Sequence, residues 1–154
     1  MTVVVVTDSS ARLDPDELKR WDIRVVPLHV LQDGIDYLDG VDPIPQDIQD
    51  RSHVSTSGAA PGDLTDVYRQ ALADSGGDGV VAVHLSAGLS STFSSAAAVG
   101  RELGSAVRVI NSRSAAMGVG FVALAAARAA AAGADLDTVE ALARAESTRQ
   151  HGFI

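Results

Sequence analysis

Val80-Val81-Ala82-Val83-His84-Leu85, followed by Ser86-Ala87-Gly88-Leu89-Ser90-Ser91-Thr92-Phe93, is the stretch that decides the architecture. The apolar, β-branched run follows the Gly76-Gly77-Asp78-Gly79 turn and predicts a strand buried on both faces. The serine-rich segment from Ser86 to Ser95 then leads into a helix toward Leu103, and Val107-Arg108-Val109-Ile110 predicts the next strand. A strand, a helix and a second strand at this spacing form a right-handed crossover in a mostly parallel sheet.

The same pattern extends in both directions. Toward the N-terminus, Val3 to Val6 is a second buried strand, ended by the polar turn Asp8-Ser9-Ser10. Asp14-Pro15-Asp16-Glu17 supplies an N-cap, a first-turn proline and early acids for a short helix. Ile23 to Leu31 reads as one strand, placed at a sheet edge because Pro27 cannot donate to a ladder. Gln32-Asp33-Gly34 turns it back into Ile35-Asp36-Tyr37 as a hairpin. Asp42 to Ser57 is expected to hold a short helix and then a loop, and Pro61 opens a helix to about Asp74. Toward the C-terminus, Asn111-Ser112 leads into an alanine-rich helix closing at Gly133, with Val119, Phe121 and Leu124 read as ordinary core residues. Leu136 to Gln150 forms a last helix capped near Asp135 or Asp137. The expected fold is α/β, a mostly parallel sheet flanked by helices with a small hairpin excursion. Residues 1–150 are read as one domain, and His151-Gly152-Phe153-Ile154 as the start of a second.

Composition narrows the function. The chain has 154 residues, 46% hydrophobic and 21% charged, enough for one cooperative core without staples. It has no cysteine, which excludes disulfides and thiolate metal sites and fits a cytoplasmic location. A net charge of -8 argues against nucleic acid, which needs a basic stripe. The first residues carry no basic region ahead of their apolar run, unlike a signal peptide. Ala115 to Ala134 is too weakly hydrophobic and too interrupted to span a bilayer, so stable membrane insertion is not expected. His29, His53, His84 and His151 show no paired ligand spacing for a metal, and no cofactor is expected.

In an open α/β sheet, ligands bind beyond the carboxyl ends of the strands. Here those positions are Thr7, Asp8, Ser9 and Ser10; Ser86, Ser90, Ser91 and Thr92; and Asn111, Ser112 and Ser114, with a separate loop adding Ser55, Thr56 and Ser57. Helix capping accounts for any one such residue. Four hydroxyl-rich segments exceed what capping requires, and hydroxyls with helix N-terminal amides make a neutral donor site suited to a carboxylate or phosphate.

Several segments together resemble the N-terminal domain of the DegV family. Thr7-Asp8-Ser9-Ser10, Val25-Val26-Pro27-Leu28 and Tyr37-Leu38-Asp39-Gly40 resemble the family's start. Thr56-Ser57-Gly58-Ala59-Ala60-Pro61-Gly62-Asp63 resembles its Thr-Ser-Gln-Pro-Ser-Pro-Gly-Asp loop, and Leu85 to Phe93 resembles its Leu-Ser-Ser-x-Leu-Ser-Gly-Thr-Tyr segment. The resemblance implies a two-domain carrier that buries a long-chain fatty acid and presents its carboxylate to a separate fatty-acid kinase for phospholipid synthesis, performing no chemistry itself. It implies that Thr56, Ser57 and Ser90 bind the carboxylate, with Ser91 and Thr92 beside them, and that Asp8, Ser9, Ser86 and Ser112 line the crevice. Two positions depart from the family pattern: Gly58-Ala59 stands for Gln-Pro, and Ser91 for glycine.

Three rival readings compete with the carrier. A serine hydrolase would use His84 and Ser86, but the Gly-x-Ser-x-Gly elbow is absent and the two side chains are expected to diverge. A phosphoryl-transfer domain would use Asp8 as nucleophile, but Ser10 stands where a second acid is expected and no Gly-Lys phosphate loop exists. A truncated module that binds nothing and dimerises over its crevice is the third.

Overall fold

A computed structural model describes residues 2–39, 41–42 and 54–149, with side chains from Ser57 onward in the last segment. Its centre is a four-stranded parallel sheet in the order β2-β1-β6-β7, built from β1 (Val4–Asp8), β2 (Arg24–Val26), β6 (Val80–His84) and β7 (Val107–Asn111). All five residues of β1 and all five of β6 are buried: the apolar runs Val4–Val6 and Val80–Val83 lie between helices on both faces, and the polar ends Thr7, Asp8 and His84 are buried with them. On one face Val5, Val81 and Val83 pack against α4 (Met117–Ala131) and α5 (Leu136–Arg149). On the other, Val4, Val6, Val80 and Ala82 pack against α2 (Pro61–Asp74) and α3 (Thr92–Leu103).

The helix starts follow the capping chemistry. Asp14 accepts the Asp16 amide at the start of α1 (Pro15–Trp21), and Asp135 accepts the Thr138 amide at the start of α5. Within α4 the buried stripe runs through Val119, Val122, Ala123, Ala126, Ala127 and Ala130, the spacing of one helix face. Phe121 lies off that stripe and is 48% exposed, which corrects its reading as a core residue. Gly120 lets α4 approach the chain after β1, because a Cβ there would lie 2.9 Å from the Ala11 carbonyl oxygen.

Two elements differ from expectation. The single strand read from Ile23 to Leu31 is broken at Pro27-Leu28: β2 ends at Val26 on the sheet edge, and β3 (His29–Gln32) belongs to a second, antiparallel sheet. The hairpin of β3 and β4 (Ile35–Leu38) turns through Asp33-Gly34 as expected. The segment expected to be a loop forms β5 (Val54–Ser57), which pairs with the other side of β3 in the order β4-β3-β5. Backbone pairing along the free edge of β3 overrides the weak strand signal of two serines and a threonine. Most of the short helix expected within 42–57 falls on residues outside those described, as do His151 to Ile154. Among the described residues, no helix is long and apolar enough to cross a membrane.

Candidate functional site

The end of the parallel sheet is held by a buried polar relay. Asp8 closes β1 and His84 closes β6; Asp8 Oδ2 lies 3.0 Å from His84 Nδ1, and His84 Nε2 lies 2.5 Å from the Tyr68 hydroxyl of α2. None of the three is exposed. Burial, and then the charge of Asp8, push the Tyr68 hydroxyl far above its ordinary range, so it keeps its proton. With a neutral ring, Nδ1–H donates to Asp8 and Nε2 accepts from the Tyr68 hydroxyl. The Leu85 and Ser10 amides also donate to Asp8, at 3.1 and 2.9 Å, as does the Ser10 hydroxyl. Burial alone would raise the Asp8 carboxyl, but the bonds from His84, Ser10 and Leu85 outweigh it and hold the group below 3.8.

This relay uses up the chemistry that the rival readings need. Strand alternation places residues two apart on one face, so it does not separate His84 from Ser86. They are separated because β6 ends at His84, both ring nitrogens are occupied, and Ser86 Oγ accepts the Gly88 amide. Asp8 is likewise buried beneath its donors, with no face free to attack a phosphate. The relay instead anchors the loop after β6, aided by the bond from Ser86 N to the Ser114 carbonyl.

On that anchored base, the two hydroxyl loops meet. The Ala59 amide donates to Thr92 Oγ1 at 3.1 Å, and Thr92 Oγ1 lies 2.9 Å from Ser90 Oγ, which accepts the Thr92 amide at 3.1 Å. A Cβ on Gly58 would sit 2.8 Å from Thr92 Oγ1 and 3.0 Å from Ser91 Oγ, so glycine is what permits this approach. The two departures from the DegV pattern thus touch each other: a small residue at 58 makes room for a side chain at 91. Ser91 occupies the N-cap position of α3 without making a side-chain cap bond, so capping does not explain its hydroxyl. Ser57, Gly58, Ser91, Ser95 and His29 line a shallow pocket of about 340 Å³.

The other expected residues are distributed unevenly. Thr56 lies in β5 opposite Val30, and its side chain is outside those described. Ser57 stands opposite His29 with an exposed side chain. Ser90 is half-buried and Thr92 fully buried in the turn that holds Ser91 at the pocket. Ser9, Ser86 and Ser112 are buried, and their hydroxyls bond the Leu28 amide, the Gly88 amide and the Ser114 backbone respectively. These three brace loops away from the Ser57 and Ser91 pocket.

His29 is the residue that sequence reasoning missed here. Its Nδ1 lies 2.9 Å from both Asp36 carboxylate oxygens and its Nε2 lies 3.2 Å from Asp63. Partial burial would lower its pKa, yet the bonds and charges of Asp36 and Asp63 raise it above 6.5. Its place beside Ser57 depends on the β3-β5 register, which became visible only once β5 was known to be a strand.

Comparison with known proteins identifies the family and the fold. The DegV family profile matches residues 2–154. A DegV domain-containing protein of Mycobacterium tuberculosis is 62% identical over 154 residues, covering 100% of this chain and 55% of that protein. A solved structure of a DegV family protein from Thermus thermophilus, described by its fatty acid binding, superposes with a TM-score of 0.87 at 33% identity, over 96% of this chain and 54% of that one. Bacillus subtilis DegV, described as a fatty acid binding protein, superposes at 0.83 with 28% identity, over 96% and 54%. The chain spans about half the length of the relatives it matches. With a profile match over nearly all its residues and a fold shared with the N-terminal half of solved DegV structures, the chain belongs to the DegV family.

Proposed function

We propose that the protein carries a single long-chain fatty acid, with Ser57, Ser90 and Ser91 receiving the carboxylate, and presents that carboxylate to a partner kinase without transferring anything itself. The observation that supports this most is the convergence of Ser57 and Ser91 across Gly58, two hydroxyls with no hydrogen-bond partner among the described residues. When Thr92 donates its hydroxyl hydrogen to Ser90, the Ser90 hydrogen also remains free for a ligand, polarised by the two bonds Ser90 accepts.

The division of labour follows from magnitudes. Burial contributes roughly 0.8 kcal/mol per methylene, so a long acyl tail gains on the order of 10 kcal/mol before association costs. The head group sets register and must keep its hydrogen bonds. His29 is the one basic residue among the described residues lining this pocket, and its two ring nitrogens lie within hydrogen-bond distance of Asp36 and Asp63. In this proposal, a cation for the carboxylate and the cover for the tail come from elsewhere in the full-length protein.

Titration of the full-length protein with oleate tests the head-group assignment. Ser57→Ala and Ser90→Ala are each expected to weaken binding about tenfold to a hundredfold, the value of a hydrogen bond to a charged group. Unchanged affinity in both would contradict the site. A pH series adds a second check. Protonated His29 with its two aspartates carries a net charge of -1, and deprotonation makes it -2, so carboxylate affinity should fall as pH rises through the elevated His29 pKa. His29→Gln is expected to flatten that dependence; a slope that persists in this variant would assign it to another group.

A further inference from the structure

Arg12 and Asp39, 27 residues apart in the chain, form an ion pair in which Arg12 Nη1 lies 2.8 Å from Asp39 Oδ1. Arg12 ends the 3₁₀ turn Ser9–Ala11 after β1 in a left-handed conformation, φ 54° and ψ 33°. Glycine or asparagine suits that conformation best, so an arginine held there is explained by its side chain and not by its backbone. Asp39 follows β4, and its amide donates to the Leu28 carbonyl at the base of the hairpin. Across that base, the Leu28 amide donates to the buried Ser9 hydroxyl. The hairpin is thus held to the segment after β1 at two points, an inner one at Leu28 and an outer one at Asp39.

A cleft of about 360 Å³ lies beside the outer point, lined by both members of the pair and by Leu13, Leu18, Val25 and Pro27. Pro27 lines this cleft, and His29, two residues further on, lines the hydroxyl pocket. The Asp39 side chain is 9% exposed and that of Arg12 60%, so the carboxylate sits in the wall and the guanidinium reaches it from the solvent side. A cation on a long, exposed arm can let go and return without repacking a core. Letting go leaves a nearly buried carboxylate with no other cation beside it among the described residues, which favours the closed state. We propose that this pair is a strap across the cleft, opening to let the acyl tail in or out and so setting the rate of exchange and not the affinity. The proposal rests on the carrier reading, with the tail along the aliphatic wall. With the strap closed in free and loaded protein alike, its energy adds to the barrier and cancels from the equilibrium.

The test is stopped-flow exchange on the full-length protein, with the fluorescent fatty acid parinarate displaced by excess oleate. Arg12→Ala is expected to speed uptake and release together by about threefold to fivefold, the scale of one largely exposed ion pair, at a Kd within about twofold of wild type. Arg12→Lys keeps the charge and should restore most of the wild-type rate. Raising sodium chloride to about 0.5 M screens the exposed partner and should speed exchange in wild type but not in Arg12→Ala. Asp39→Asn should match Arg12→Ala, and the double variant should be no faster than either; if Asp39→Asn fails to fold, Arg12→Ala and the salt series decide. Unchanged rates in Arg12→Ala, or a Kd that rises in step with release while uptake stays constant, would overturn the strap alone. Wild-type protein that binds no parinarate would overturn the carrier reading and the strap with it.

Discussion

Asp8→Ala is expected to destabilise the protein by about 3–5 kcal/mol, the range for breaking a buried pair by removing one partner. The carboxylate accepts bonds from His84 Nδ1, the Leu85 and Ser10 amides and the Ser10 hydroxyl, and its loss leaves these buried or half-buried donors without an acceptor. Chemical denaturation read by circular dichroism measures the effect. The same group gives stability a pH dependence of definite sign. Its folded pKa lies below 3.8, so its contribution is fully present above the unfolded value of about 3.9 and is lost as pH falls through the lower folded value. Asp8→Asn, which retains an acceptor oxygen, should therefore lose less stability than Asp8→Ala and show a shallower acid limb. An Asp8→Ala change below 1 kcal/mol would mean that the relay does not hold the sheet end.

Gly58→Val should have the next largest effect, and on function before stability. Its side chain would press against the Thr92 hydroxyl, the Ser91 hydroxyl and the Thr92 backbone nitrogen, all within 3.2 Å of the first added carbon. Overpacking at such a contact costs about 1–3 kcal/mol. Relief requires separating β5 from the start of α3, which breaks the bond from the Ala59 amide to Thr92 and pulls Ser57 away from Ser91. Oleate affinity is expected to fall at least tenfold while the melting temperature drops by only a few degrees. Because Ser91 is one of the neighbours that fill this space, Gly58→Ala combined with Ser91→Gly should lose less stability than the sum of the two single variants. Additive losses would show that the two positions are not coupled.

Much of this was legible in the chain. The β1, β6 and β7 runs, the caps at Asp14 and Asp135, and the Pro61 to Asp74 helix follow local rules that the final fold does not override. What escaped the reading depends on distant partners. Val54 and Thr56 favour a strand, but four residues that include two serines are too short a signal to read as one without the edge that β3 offers. His84 reads as one more residue of an apolar strand, and nothing local discloses that Asp8, 76 residues earlier, and Tyr68, 16 residues earlier, close on its ring. Ser9, Ser86 and Ser112 look the same in sequence as Ser57 and Ser91, yet their hydroxyls serve loop backbones while those of Ser57 and Ser91 face a pocket. Hydroxyl-rich strand ends thus do not by themselves separate bracing serines from those that line a pocket.

Native mass spectrometry of the gently purified full-length protein, with fatty acids extracted from the same sample, tests the carrier reading most directly. One long-chain fatty acid per chain, depleted in Ser57→Ala and Ser90→Ala at unchanged melting temperature, is the expected result. Protein that remains free of lipid after incubation with excess oleate, or that retains it equally in both variants, would contradict the carrier and its head-group site respectively.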